Sequence, residues 1–194
     1  MKTLKIAFLL VVLCAAAYPQ TKDLGLGAFA NEAGPILLAV DAQAAIEQIK
    51  NPYVLFVVYM ATKGATQNQS IAVSRNDVVM VYKGQEYKMP SLEEFRKNYQ
   101  GELRDIEFYR HLAKAGINSS WIRFYKFTVM TDFFPPLTLR APLPVDEGSM
   151  TDSIGFSTKC YFKNPGFEKG DKLTIKVRDK NDPQIAGEVE VTLK

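Results

Sequence analysis

The chain has 194 residues, 47% of them apolar and 23% charged, with a formal net charge of +3 and a single histidine. That balance belongs to a folded globular protein and excludes a disordered one. One histidine also excludes every motif that needs two, H-E-x-x-H among them, so a zinc site would have to be built from carboxylates and a thiol.

In chain order, residues 1–17 read as a signal peptide. Lys2 and Lys5 form a positive start, residues 6–13 are unbroken apolar, and Ala15, Ala16 and Ala17 give an A-x-A-like cleavage site. The apolar run is shorter than the ~20 residues a membrane-spanning helix needs. The mature chain is expected to begin near Tyr18. Cys14, just after the apolar run, resembles the lipid-modified first residue of a bacterial lipoprotein and is the candidate lipidation site. Leu13 departs from that pattern, which wants a small residue there. Cleavage removes two lysines and no acid, lowering the net charge from +3 to +1, too little for a nucleic-acid-binding face. It leaves Cys160 as the one mature cysteine, a thiol among aromatic neighbours that reads as buried and inert.

Residues 18–35, rich in Gly, Ala and turn formers, are expected to be an irregular lead-in or tether; residues 36–194 are expected to be one domain. Residues 36–40 form a short buried run. Asp41 then caps a short helix carrying Ala42, Ala45, Ile46 and Ile49 at helical spacing, stopped by Asn51-Pro52. Residues 53–60 (YVLFVVYM) suit a central strand covered on both faces. After a polar loop, residues 71–73 and 78–82 read as strands, with a turn at Lys83-Gly84-Gln85 and a return strand near Tyr87.

Ser91 and Glu94 form a capping box that opens the main helix, near 91–115. Its apolar face is expected to carry Leu92, Phe95, Tyr99, Leu103, Ile106 and Leu112, with Gly101 weakening the middle. Residues 121–130 return to strand. Residues 133–144 hold four of the ten prolines and read as an irregular connection. Residues 154–162 are a strand, Asn164-Pro165-Gly166 a turn, and residues 172–178 and 188–193 alternate apolar and polar as half-wet strands do. The expected fold is mainly β with a helical insertion: an antiparallel immunoglobulin-like β-sandwich with one main helix. The Cys–Trp–Cys hallmark of antibody domains is absent.

Chemistry is sparse. Glu107 lies one helical turn before His111, but both alternate with Arg104, Arg110 and Lys114 as on a solvated face. No G-x-S-x-G or S-x-x-K motif occurs. Gly25-Leu26-Gly27-Ala28-Phe29-Ala30 matches the dinucleotide fingerprint in letters only, because its use requires a strand before and a helix after, and Gln20, Thr21, Lys22 and Asp23 precede it close behind the expected cleavage site. Asn68 and Asn118 open glycosylation sequons, and Phe133-Phe134-Pro135-Pro136 reads either as a sticky loop or as core anchors. Residues 173–193 (LTIKVRDKNDPQIAGEVEVTL) resemble the strand–loop–strand of C2 domains. The resemblance implies calcium held by Asp179, Asn181 and Asp182, with Asp146, Glu147 and Asp152 as the second acidic loop.

The sequence thus points to an exported protein, periplasmic, cell-surface or secreted, with a non-enzymatic binding or structural role in the cell envelope. No catalytic residue and no cofactor other than calcium is nominated. The expected partner is an envelope or extracellular protein or glycan, with membrane contact through lipidated Cys14 and no nucleic acid. Two rivals stand beside it: a calcium-dependent C2-like membrane or ligand-binding module, and a hydrolase with a carboxylate-based site.

Overall fold

The computed structural model describes residues 21–62, 70–112, 126–135, 145–151 and 154–194, and leaves aside the side chains of 109–112 and 126–130. Cys14, Asn68, Asn118 and Asp152 lie outside the described residues, as does the side chain of His111.

The fold is mainly antiparallel β, in two sheets with few helices. The first sheet is built from β1 (Lys22–Gly25), β2 (Ala28–Asn31), β3 (Ile36–Asp41), β4 (Tyr53–Thr62), β5 (Ser70–Ser74), β8 (Lys126–Met130), β9 (Glu147–Thr151) and β10 (Ile154–Lys163). Its order is β1-β2-β3-β4-β10-β9-β5, with β8 lying parallel to β10. The second sheet has the order β12-β11-β6-β7, from β6 (Val78–Tyr82), β7 (Gln85–Lys88), β11 (Lys172–Arg178) and β12 (Ala186–Thr192). Three α-helices, α1 (Gln43–Glu47), α2 (Leu92–Asn98) and α3 (Glu102–Leu112), and a short 3-10 helix (Arg75–Asp77) complete the described residues.

The two faces of the first sheet follow from strand periodicity. On β4 and β10, the pairs Val54–Phe162, Phe56–Cys160, Val58–Thr158 and Met60–Phe156 share one face. That face meets the second sheet, whose Met80, Leu173, Ile175, Val177, Val189 and Val191 fall in the same buried cluster. The arrangement is sandwich-like. Cys160 is fully buried there, and burial drives its thiol upward, in keeping with an inert side chain. The opposite face presents Tyr53–Lys163, Leu55–Tyr161 and Val57–Lys159. Phe95 of α2 stacks on both Tyr53 and Tyr161 there, so the helical insertion covers the outer side of the first sheet.

Two expectations need correction, and one open choice is decided. The stretch 18–35 is not wholly irregular: β1 and β2 form a hairpin within it. Its turn, Gly25-Leu26-Gly27, runs entirely at positive φ, which two glycines make affordable. That same turn is what the fingerprint-like letters encode, and a strand follows it instead of a helix. The main helix is two helices. Tyr99 has extended backbone (φ −140, ψ 125), and Leu103, expected on the apolar face, is 53% exposed. The buried stripe of α3 is Glu102, Asp105 and Ile106 instead. The residues Phe133 and Phe134 are core anchors, both fully buried.

The sheets approach closely at one end. A Cβ on Gly187 of β12 would collide with the Ile36 carbonyl, and one on Gly34 would stand 3.0 Å from the Ala186 carbonyl. Beside them, Asn31 Nδ2 donates to the Glu188 carbonyl at 2.8 Å and the Glu190 amide donates to Thr21 Oγ1 at 3.0 Å. The free edge of β12 is thus occupied by side chains of the first sheet and its lead-in, which blunts an edge open to strand addition.

Candidate functional site

The loop proposed for calcium lies between β11 and β12, and one carboxylate oxygen each of Asp179 and Asp182 accepts from backbone amides there. Asp179 is 5% exposed, and its Oδ1 accepts from the Ala72 amide at 3.1 Å and the Asn181 amide at 3.3 Å. The Lys180 amide donates to the Ala72 carbonyl at 2.7 Å, so both backbone groups of this β5 residue are satisfied by the loop. Asp182 Oδ1 accepts from the Gln184 amide at 3.0 Å. These are Asx-type turn bonds plus a stitch between the sheets. Of the second acidic group, Glu147 does reach this loop, but through Lys180 Nζ at 2.6 Å, and Asp146 pairs with Arg75 at 3.2 Å. The residues nominated as ligands come together as a tied turn whose nearest charge is a lysine.

A different constellation forms where α2 and α3 cover the first sheet. Lys159 of β10 points to this outer face because its neighbours Thr158 and Cys160 take the other one. The segment after β8 runs on beside β10: the Thr131 amide donates to the Ser157 carbonyl at 3.2 Å, and the Phe133 amide to Thr158 Oγ1 at 3.3 Å. This brings Asp132 Oδ1 to 2.6 Å from Lys159 Nζ, both side chains 8% exposed, an ion pair without the alignment of a good hydrogen bond. Arg96 of α2 donates to the Pro135 carbonyl at 2.7 Å and stands 3.8 Å from Glu102 Oε2. Tyr99 donates from its hydroxyl to Asp105 Oδ2 at 2.6 Å, and Asn51 Nδ2 donates to the same hydroxyl at 3.2 Å.

Burial dominates the electrostatics. It raises the Glu102 carboxyl above the ordinary range, against the pull of Arg96 and Lys159, and Asp132 pushes in the same direction as burial. It raises Asp105 against the Tyr99 hydrogen bond and Arg104. The Tyr161 hydroxyl is raised by burial first, then by Asp105, Glu102, Tyr99 and Asp132, which places all of these around one point. Tyr161 Oη, Glu102 Oε1 and Asp105 Oδ1 are buried with no hydrogen-bond partner among the described residues. An aromatic wall of Phe95, Phe134 and Tyr161, with ring centroids 4.4 to 5.4 Å apart, closes the cluster on one side.

Sequence reasoning missed this cluster because its members come from three separate stretches. One signal was present: within β10, Ser157, Lys159 and Tyr161 alternate with Phe156, Thr158 and Cys160, so a charge had to sit on a covered face. Among the described residues, no three His, Cys, Asp or Glu side chains are grouped to hold a metal ion, and no helix is long and apolar enough to cross a membrane. Compared with known proteins, the chain matches no family model, no curated protein and no solved structure.

Proposed function

We propose that the chain is an exported cell-envelope protein that acts by binding, or as a structural part, through an immunoglobulin-like β-sandwich. The export reading rests on residues 1–17, and the two sheets with their shared core support the sandwich. The observation that carries the functional reading is where the charged groups are spent. Asp179 ties β5, Asp132 neutralises Lys159, and Asp105 holds Tyr99, all internal duties of the fold. Among the described residues, one surface open to contact is the wet face of the second sheet, lined by Lys172–Glu190, Lys176–Glu188 and Arg178–Glu86 pairs at 2.8 to 3.2 Å. A face of mixed, paired charge suits a polar envelope or extracellular partner, protein or glycan, better than nucleic acid. Membrane contact would come through a lipid on Cys14.

The Glu102 carboxyl, raised by burial and by nearby Asp132, favours one second reading, a carboxylate-based hydrolase, since a raised carboxyl is better placed to donate a proton. A panel of esterase, glycosidase and peptidase substrates on the purified mature protein separates the two. The binding or structural reading expects no turnover. Turnover that disappears in Glu102→Gln, with the fold intact, would replace it with the hydrolase.

A further inference from the structure

The two helices of the insertion are held in different ways. α2 is anchored by Phe95, fully buried against Tyr53, Tyr99, Phe134 and Tyr161. α3 turns two carboxylates, Glu102 and Asp105, toward the sheet, with Ile106 buried beside them and Phe108 partly so. Between the helices lies the extended Tyr99, then Gly101, over which the Tyr99 ring folds back to reach Asp105. An apolar anchor, a break and, over the described residues 102–108, a stripe that sets two buried carboxylates beside Ile106 make α3 the element whose seating depends on charge.

We propose that α3 is a proton-operated latch on the outer face of the first sheet, seated while Glu102 and Asp105 are protonated and loosened as they ionise. Glu102 faces Arg96 from α2, Lys159 from β10 and Asp132 from the segment after β8; Asp105 faces Tyr99 ahead of the helix, Arg104 on its own helix and Tyr161 on β10. With both ionised, three buried carboxylates face the buried Lys159, the partly buried Arg96 and, 3.7 Å from Asp105 at the rim, Arg104, whose 66% exposure leaves its charge screened by water. Glu102 Oε1 would then be charged and buried with no hydrogen-bond partner among the described residues, and Asp105 Oδ1 would have Arg104 at 3.7 Å and no hydrogen bond, a costly state that protonation or undocking relieves. The positive end of α3 works the other way, but burial is the larger influence on both groups. A folded-state value above the unfolded one means that the stabilisation is fully present below about pH 4 and is lost as pH rises through the raised value. Asp41 is raised in the same direction by its own burial, so a whole-protein melt would mix the two. This device goes beyond the binding or structural role and stands without it.

Amide hydrogen exchange on the mature chain, read over residues 102–108 at pH 5 and pH 8 and corrected for the intrinsic rate, isolates α3. Protection there is expected to fall on the order of tenfold toward pH 8, while β4 and β10 change far less. Glu102→Gln with Asp105→Asn should flatten the profile, and His111→Gln should leave it unchanged. Protection of α3 that is constant or greater at pH 8 overturns the latch, as does a pH dependence that vanishes with His111→Gln. Should the double variant fail to fold, the native profile and the His111 variant still decide.

Discussion

Asp179 shows how one carboxylate can carry opposite readings. Three oxygen donors in four residues resemble a calcium loop, yet the carboxylate is aimed at the Ala72 amide, 107 positions away in sequence. Nothing local to residues 179–182 announces that partner; only the packing of β5 against the loop does. Asp179→Ala is expected to destabilise the protein by about 1–3 kcal/mol in urea denaturation, the cost of orphaning the buried Ala72 amide, and millimolar calcium should shift neither form. A calcium-dependent rise in the native midpoint that the variant lacks would restore the ligand role. Gly187 makes the same point for backbone. Its need is steric, since a methyl there meets the Ile36 carbonyl, and Gly187→Ala should cost about 1–3 kcal/mol by the same assay.

Among elements, the legible ones were those with a clean period. The alternation on β11 and β12 and the apolar run of β4 lie where expected, because one dry face or two leaves little choice of register. The helical insertion was misread for a physical reason. Apolar spacing placed Leu103 inward, but the break at Tyr99–Gly101 rotates the next helix, and a tyrosine–carboxylate bond together with the Arg96–Glu102 pair fixes the new phase. The Lys159–Asp132 pair, joining β10 to the segment after β8, is testable by a double-mutant cycle. Asp132→Ala alone should cost about 3–5 kcal/mol by leaving Lys159 buried and unpaired. Adding Lys159→Met should recover much of that loss. Additive losses would mean that the two side chains do not share one dry site.

At the scale of the molecule, the sheets are joined by a common core and by side-chain stitches at opposite places, Asp179 to Ala72 and Asn31 to Glu188. Denaturation followed by tyrosine fluorescence and by far-ultraviolet dichroism should therefore give coincident transitions, and two separated ones would show that the sheets unfold independently. The two-layer plan was visible in the sequence as strands with wet and dry sides. Which strands neighbour which was not, as β8 beside β10 and β9 beside β5 depend on contacts between distant segments. The role assigned to the whole depends on where the chain resides. Intact mass of the native protein, taken separately from cytosolic, membrane and extracytoplasmic fractions, tests that most directly. The account predicts a species outside the cytosol that starts near Tyr18, or at an acylated Cys14 in the membrane fraction. A full-length species keeping residues 1–17 in the cytosol would contradict it.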